Sequence, residues 1–121
     1  MGVVDRFLLT SPPWFCFHAG ADPAEPLSPV GALWWVAGTS RAGETVAFVP
    51  LFTEEGLALE YLEELGERRF APVRVGDFGV MRALIRELVV RHPDALIAAD
   101  PTPRVIRTVP AAAILDTGRY V

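Results

Sequence analysis

The chain has 121 residues, of which 15 are acidic and 11 basic, giving a net charge of -4 and a sequence pI near 5.1. This length suits one domain over residues 1–121 that holds a core without disulfides or metals. The acidic balance argues against a nucleic-acid-binding protein, because phosphate binding requires a basic surface. The single cysteine excludes an intramolecular disulfide, and no apolar run is long enough to span a membrane. The first residues lack the features of a signal peptide, so we expect a cytoplasmic protein.

The apolar content is high for a chain of this size. Apolar residues make up 51% of the sequence, the mean hydropathy is +0.32, and three Trp and seven Phe must be accommodated. Since one small core has difficulty hiding so much apolar surface, the composition favours a homo-oligomer. All 11 basic residues are Arg, and the absence of Asn and Gln together with 11 Pro is compatible with a thermophilic source.

The N-terminal segment predicts three short elements. Residues 2–11 have apolar side chains clustered on one side of a helix, which Pro12 and Pro13 would end. The aromatic run at residues 14–18 predicts a strand. The Pro-rich segment 19–29 predicts a loop without regular structure.

The next segment predicts a hairpin followed by a helix. Residues 33–36 and 45–49 are short apolar runs separated by a polar turn, which indicates two antiparallel strands. Pro50 is expected to end the second strand, because it cannot donate a ladder hydrogen bond. Thr53 is expected to cap the following helix with its side-chain oxygen, and Gly66 to end it in a left-handed conformation.

The helix between these caps has an apolar face and an acidic face. With about 100 degrees of rotation per residue, the apolar face contains Ala58, Tyr61, Leu62 and Leu65. The opposite face contains Glu60, Glu63, Glu64 and Glu67. Pairing of Glu64 with Arg68 would offset part of the repulsion between these carboxylates. We interpret the acidic face as a solvated surface in preference to a contact for a basic partner or a cation.

The C-terminal half alternates between strands and helices. Residues 72–75 predict a strand, Asp77 is expected to cap a second helix, and residues 95–99 predict another buried strand. Residues 105–109 predict a last strand and residues 110–115 a helical turn. This alternation predicts an α/β (α+β) fold with a single mixed β-sheet, an N-terminal antiparallel hairpin and about two main helices packed on the sheet.

Three segments share an order of features with a known family. They are VAFVPLFTEEGLALEYLEEL, then PVRVGDF with the helix MRALIREL, then PDALIAADPTP. This order resembles the N-terminal domain of the SseB-like proteins, in which a strand leads through a Phe-Thr or Phe-Ser corner into a helix and a later strand ends in an Asn-Pro or Asp-Pro turn. Phe52, Thr53, Asp100 and Pro101 stand at those places here. The resemblance implies an SseB-like core over about residues 33–115 and brings no catalytic residues.

Cys16 and His18 are the first candidates for chemistry. Their spacing places both side chains on one face of the predicted strand. A thiolate beside an imidazole is the beginning of a nucleophilic site, but no third residue of a triad is signalled. We therefore favour a buried structural cysteine beside an incidental histidine. We expect no catalytic residue, no metal site and no cofactor, since one Cys and two His show no usual ligand spacing.

The ends of the predicted strands are the second candidate. Ligands of α/β sheets bind beyond the carboxyl ends of the strands, and Asp100 stands there. Thr53 and Asp77 begin helices whose free N–H groups are able to bind an anion, and Arg104 adds further donors. The favoured alternative is that Asp100 only starts a turn before Pro101. A ligand-binding site, if present, is expected at these four residues.

Aromatic residues near the N terminus are the third candidate. They are Trp14, Phe15, Phe17, Trp34 and Trp35. Because neighbours on a strand alternate between its faces, either the sheet is covered on both sides or one face meets another subunit. The preferred hypothesis is a non-catalytic binding or protein-interaction module that is a homo-oligomer or binds a protein partner through these residues. The alternative is a small enzyme or ligand sensor with an anion or metabolite pocket near Thr53, Asp100 and Arg104.

Overall fold

A computed structural model of the protein describes residues 8–9, 12–18, 32–39, 43–104, 106–117 and 119–120. The strands are β1 (Leu8–Leu9), β2 (Trp14–His18), β3 (Val36–Thr39), β4 (Thr45–Phe52), β5 (Phe70–Arg74), β6 (Leu96–Ala99), β7 (Thr108–Pro110) and β8 (Arg119–Tyr120). The helices are α1 (Glu55–Glu64), α2 (Phe78–Arg91) and α3 (Ala111–Thr117).

A mixed sheet of six strands carries the fold, which confirms the predicted fold class. Its strands lie in the order β5-β2-β4-β6-β7, and β3 pairs with β4. The pairing of β3 with β4 is antiparallel, as the predicted hairpin requires, although the first strand begins at Val36 rather than at residue 33. β1 and β8 form a separate parallel pair.

The chain direction explains why the helices lie on opposite faces of the sheet. β4, β5 and β6 are parallel to one another, because β2 runs antiparallel to both β4 and β5. The connection through α1 leads from β4 past β2 to the edge strand β5, and the connection through α2 returns past β2 and β4 to β6. Two crossovers in opposite directions are both right-handed only when their helices cover opposite faces.

The sheet is therefore covered on both sides, and most of the aromatic residues are core residues. Phe15 and Phe17 pack in the cluster that contains the buried residues of α2 and α3, whereas Trp34 packs in the cluster of α1, with Trp14 against it. Phe15, Phe17 and Trp34 are 1%, 7% and 6% exposed, so they are not available to the interface for which they were candidates. Trp14 and Trp35 are half-buried.

Pro50 lies inside β4 and does not end the strand, contrary to the prediction. β3 pairs with β4 up to Phe48, and β2 pairs with β4 from Leu51 onward, so Pro50 falls between two ladders. On the other side it stands opposite Ala98 of β6. The N–H of Asp100 donates to the carbonyl of Leu51, so the backbone polar groups of Leu51 point toward β6. Because the backbone polar groups of successive strand residues point to alternate sides, the nitrogen of Pro50 points to the other side, where the pairing with β3 ends and the pairing with β2 begins. No ladder donor is required at that point.

Helix α1 begins one residue later than predicted. Its N-cap is Glu54, whose side chain makes no capping hydrogen bond, so Thr53 does not cap the helix. The C-terminal end is as predicted, because Gly66 has a φ of 67°. The N–H groups of Gly66 and Glu67 donate to carbonyls of the last helical turn, which is the pattern of a Schellman motif.

The charged residues of α1 are exposed, and the ion pair at its end differs from the predicted one. Glu60, Glu63 and Glu64 are all exposed. The guanidinium of Arg69 lies 3.0 Å from the carboxylate of Glu67. This ion pair is found instead of the predicted pair between Glu64 and Arg68. Because Glu67 lies beyond the last helical residue, its carboxylate is able to turn toward the following segment.

Helix α2 follows the prediction closely. Asp77 is its N-cap and accepts a hydrogen bond from the N–H of Val80 at 2.8 Å. The helical turn predicted near residue 110 is present as α3. Leu8–Leu9 form β1 rather than part of a helix, while the rest of the predicted N-terminal helix and the loop at residues 19–29 lie outside the described residues. Among the helices described, none has the length and apolar character needed to cross a membrane.

Candidate functional site

Thr53 and Asp100, two of the predicted ligand-binding residues, are bonded to each other. The N–H of Thr53 donates to Oδ1 of Asp100, and the Oγ1 hydroxyl of Thr53 donates to Oδ2, both at 2.9 Å. One residue follows β4 and the other follows β6, and these strands are parallel neighbours. Their carboxyl ends meet at one edge of the sheet, as the sequence predicts.

The backbone of Asp100 belongs to the same arrangement. Its N–H donates to the carbonyl of Leu51 at 2.7 Å and so extends the ladder between β4 and β6. Asp100 also has a φ of 47°, in the left-handed region that Asp tolerates better than most residues because its short side chain bonds locally. The carboxylate therefore secures the corner between β4 and α1, and each of its oxygens accepts one hydrogen bond from Thr53.

The other two predicted ligand-binding residues do not join this pair. Asp77 follows β5, which is separated from β4 by β2, and its side chain caps α2. Arg104 is exposed, and within the described residues no hydrogen bond or ion pair joins it to Thr53, Asp77 or Asp100. Sheet topology thus brings Thr53, Asp77 and Asp100 to one edge of the sheet. Thr53 and Asp100 bond to each other there, and Asp77 caps α2.

Cys16 and His18 do not form a nucleophilic site. Cys16 is 1% exposed, and burial raises the pKa of its thiol to about 12, so the thiol stays protonated near neutral pH. His18 is exposed, and its ring meets the ring of Phe70 edge to face with 5.5 Å between centroids. The reactive form of a cysteine is the thiolate, so this position has the character of a core residue.

The described residues offer no site for a metal ion. No group of three or more His, Cys, Asp or Glu side chains within that part of the chain is placed to hold one.

An apolar groove lies between α2 and the edge strand β5. Its volume is about 270 Å³. It is lined by Phe17, Val73, Arg74, Val75, Gly76, Val80, Ala83, Leu84 and Glu87. Val80 is 52% exposed at its mouth, and the charged side chains of the lining are those of Arg74 and Glu87. This surface is able to accept an apolar side chain between two opposite charges.

A second groove lies on the other face of β5, beside the C-terminal part of α1. Its volume is about 470 Å³, and Glu63, Glu67 and Arg68 contribute to its lining. It is more strongly charged than the groove beside α2. Both grooves follow β5, which has β2 as its only strand neighbour among the residues that the structure describes.

The sequence pattern did not reveal these grooves, because each is formed by a helix and a strand that pack at the edge of the sheet. A partial signal was available in α2, where Val80 and Val90 lie outside the buried stripe. Exposed apolar residues on an otherwise amphipathic helix indicate a surface that differs from ordinary solvated helix.

Comparisons of the chain with models of protein families, with curated proteins and with solved structures returned no match. The resemblance to SseB-like proteins therefore stays a prediction.

Proposed function

We propose that this protein is a non-catalytic binding module that associates with a second copy of itself through the groove between α2 and β5. The observation that carries the proposal is the groove, which leaves apolar side chains accessible beside the half-exposed Val80. Apolar concave surfaces rimmed by charges are typical of protein contacts.

The state of the polar candidates supports the same proposal. Asp100 and Thr53 satisfy each other, Asp77 caps α2, and the thiol of Cys16 is buried and protonated. Each of these groups has a role in folding that accounts for its presence. The high apolar content of the chain, 51%, is compatible with an additional surface that is covered on association.

Substitution of Val80 tests the proposal. Val80→Glu places a carboxylate at the mouth of the groove, and we expect it to weaken self-association by about tenfold or more, because the charge must lose water on contact. The fold should persist, since position 80 donates the N–H that Asp77 caps, and Glu is favourable there. Sedimentation velocity over a concentration series measures the effect.

Ile106→Glu is the matched control. Ile106 is 39% exposed but does not line the groove, so this variant should associate as the wild type does. A wild-type protein that remains monomeric at about 100 µM, a concentration that reveals weak homo-oligomers, would contradict the proposal. Equal weakening in both variants would contradict the assignment of the groove.

The alternative function, a ligand sensor or small enzyme near Thr53, Asp100 and Arg104, predicts a different result. A metabolite or inorganic phosphate would raise the melting temperature of the wild type, and Arg104→Ala would abolish that rise. The mutual bonding of Thr53 and Asp100 weighs against this function, because the N–H and hydroxyl donors of Thr53 already bond to a carboxylate and an anion would be repelled by that charge.

A further inference from the structure

We draw no further inference here: the strongest candidate, the groove between the C-terminal part of α1 and β5, carries none, because Glu63 and Arg68 give its lining charges of both signs and nothing in the part of the chain that the structure describes shows what covers it.

Discussion

At the scale of single residues, Asp100 joins local backbone strain to a contact between distant parts of the chain. Its carboxylate bonds to Thr53, 47 residues away in the sequence, while its backbone has a φ of 47°. A non-glycine residue in the left-handed region persists when its surroundings compensate for the cost. Here two hydrogen bonds from Thr53 provide that compensation and fix the corner at which α1 begins.

Asp100→Ala and Asp100→Gly separate these two contributions. Asp100→Ala loses both side-chain hydrogen bonds and keeps the left-handed backbone, so we expect the free energy of unfolding to fall by about 2 kcal/mol. Asp100→Gly loses the same bonds but removes the strain, and it should cost about 1 kcal/mol less than Asp100→Ala. Urea denaturation measures both values. Equal losses would show that the left-handed backbone does not contribute.

Glu67 gives a prediction for the dependence on pH. Its hydrogen bonds with Arg69 lower the pKa of the Glu67 carboxyl from 4.5 to about 2. A depressed pKa contributes stability above the unfolded value of 4.5, and that contribution disappears as the pH falls to about 2. NMR titration should find the pKa of Glu67 well below 4.5, and Arg69→Ala should raise it. An unchanged pKa in Arg69→Ala would contradict the pairing.

At the scale of elements, the ends of the two long helices are stabilised in different ways. Helix α2 has a side-chain cap from Asp77 at its beginning, whereas the Glu54 cap of α1 makes no side-chain hydrogen bond. Helix α1 instead has a defined end, with Gly66 in the left-handed conformation. The beginning of α1 is held by Asp100 through the preceding residue Thr53, which is a tertiary contact.

Two glycines, one in the first turn of α1 and one just after its C-terminal end, should respond in opposite directions to the same substitution. Gly66 has a φ of 67°, so Gly66→Ala should lower the free energy of unfolding by about 1 kcal/mol. Gly56 lies in the first turn, and a Cβ there would meet open space, so Gly56→Ala should raise it by about 0.5 kcal/mol. Thermal melting of both variants checks the signs, and destabilisation by Gly56→Ala would contradict the packing of that turn.

The edge strands show how proline protects this sheet. The N–H of Val75 donates to the carbonyl of Pro13, on the β2 side of the strand. Backbone groups of successive strand residues point to alternate sides, so the nitrogen of Pro72, three residues earlier in β5, points away from β2. The N–H of Ala111 donates to Ala95, and the nitrogen of Pro110 in β7 points away from β6 by the same alternation. A missing donor at an outward position discourages pairing with another strand. Association through helix surfaces is thus more compatible with β5 than addition of a strand.

At the scale of the whole molecule, local sequence patterns predicted the elements better than their meeting points. The hairpin, the second helix and its Asp77 cap are local features, and the structure contains them, although the first strand of the hairpin covers Val36–Thr39 rather than residues 33–36. The continuation of β4 through Pro50 was not predicted. At this point the strand changes its neighbour from β3 to β2, and such a change leaves no trace in hydrophobic periodicity. The proximity of Thr53 and Asp100 followed from the rule for parallel strands, but their mutual bonding did not.

The structure also gives a different candidate for the association surface from the one that the sequence suggested. The aromatic residues left two possibilities, a sheet covered on both sides or a sheet with one face against another subunit, and the preferred hypothesis placed them at an interface. Two crossovers place helices on both faces of the sheet, and these helices bury Phe15, Phe17 and Trp34. The accessible apolar surface lies instead between α2 and β5, where the charged lining residues are Arg74 and Glu87. Burial on two faces follows from topology, which no single segment encodes.

Sedimentation equilibrium of the wild-type protein at low and high salt tests the proposed self-association. We expect a mass above the 13.2 kDa of one chain that grows with concentration. Because the groove between α2 and β5 is lined mainly by apolar side chains, we expect this mass to persist near 1 M salt, where the screening length is about 3 Å. A mass of 13.2 kDa at every concentration and salt level would contradict self-association, and dissociation at high salt would contradict an apolar contact.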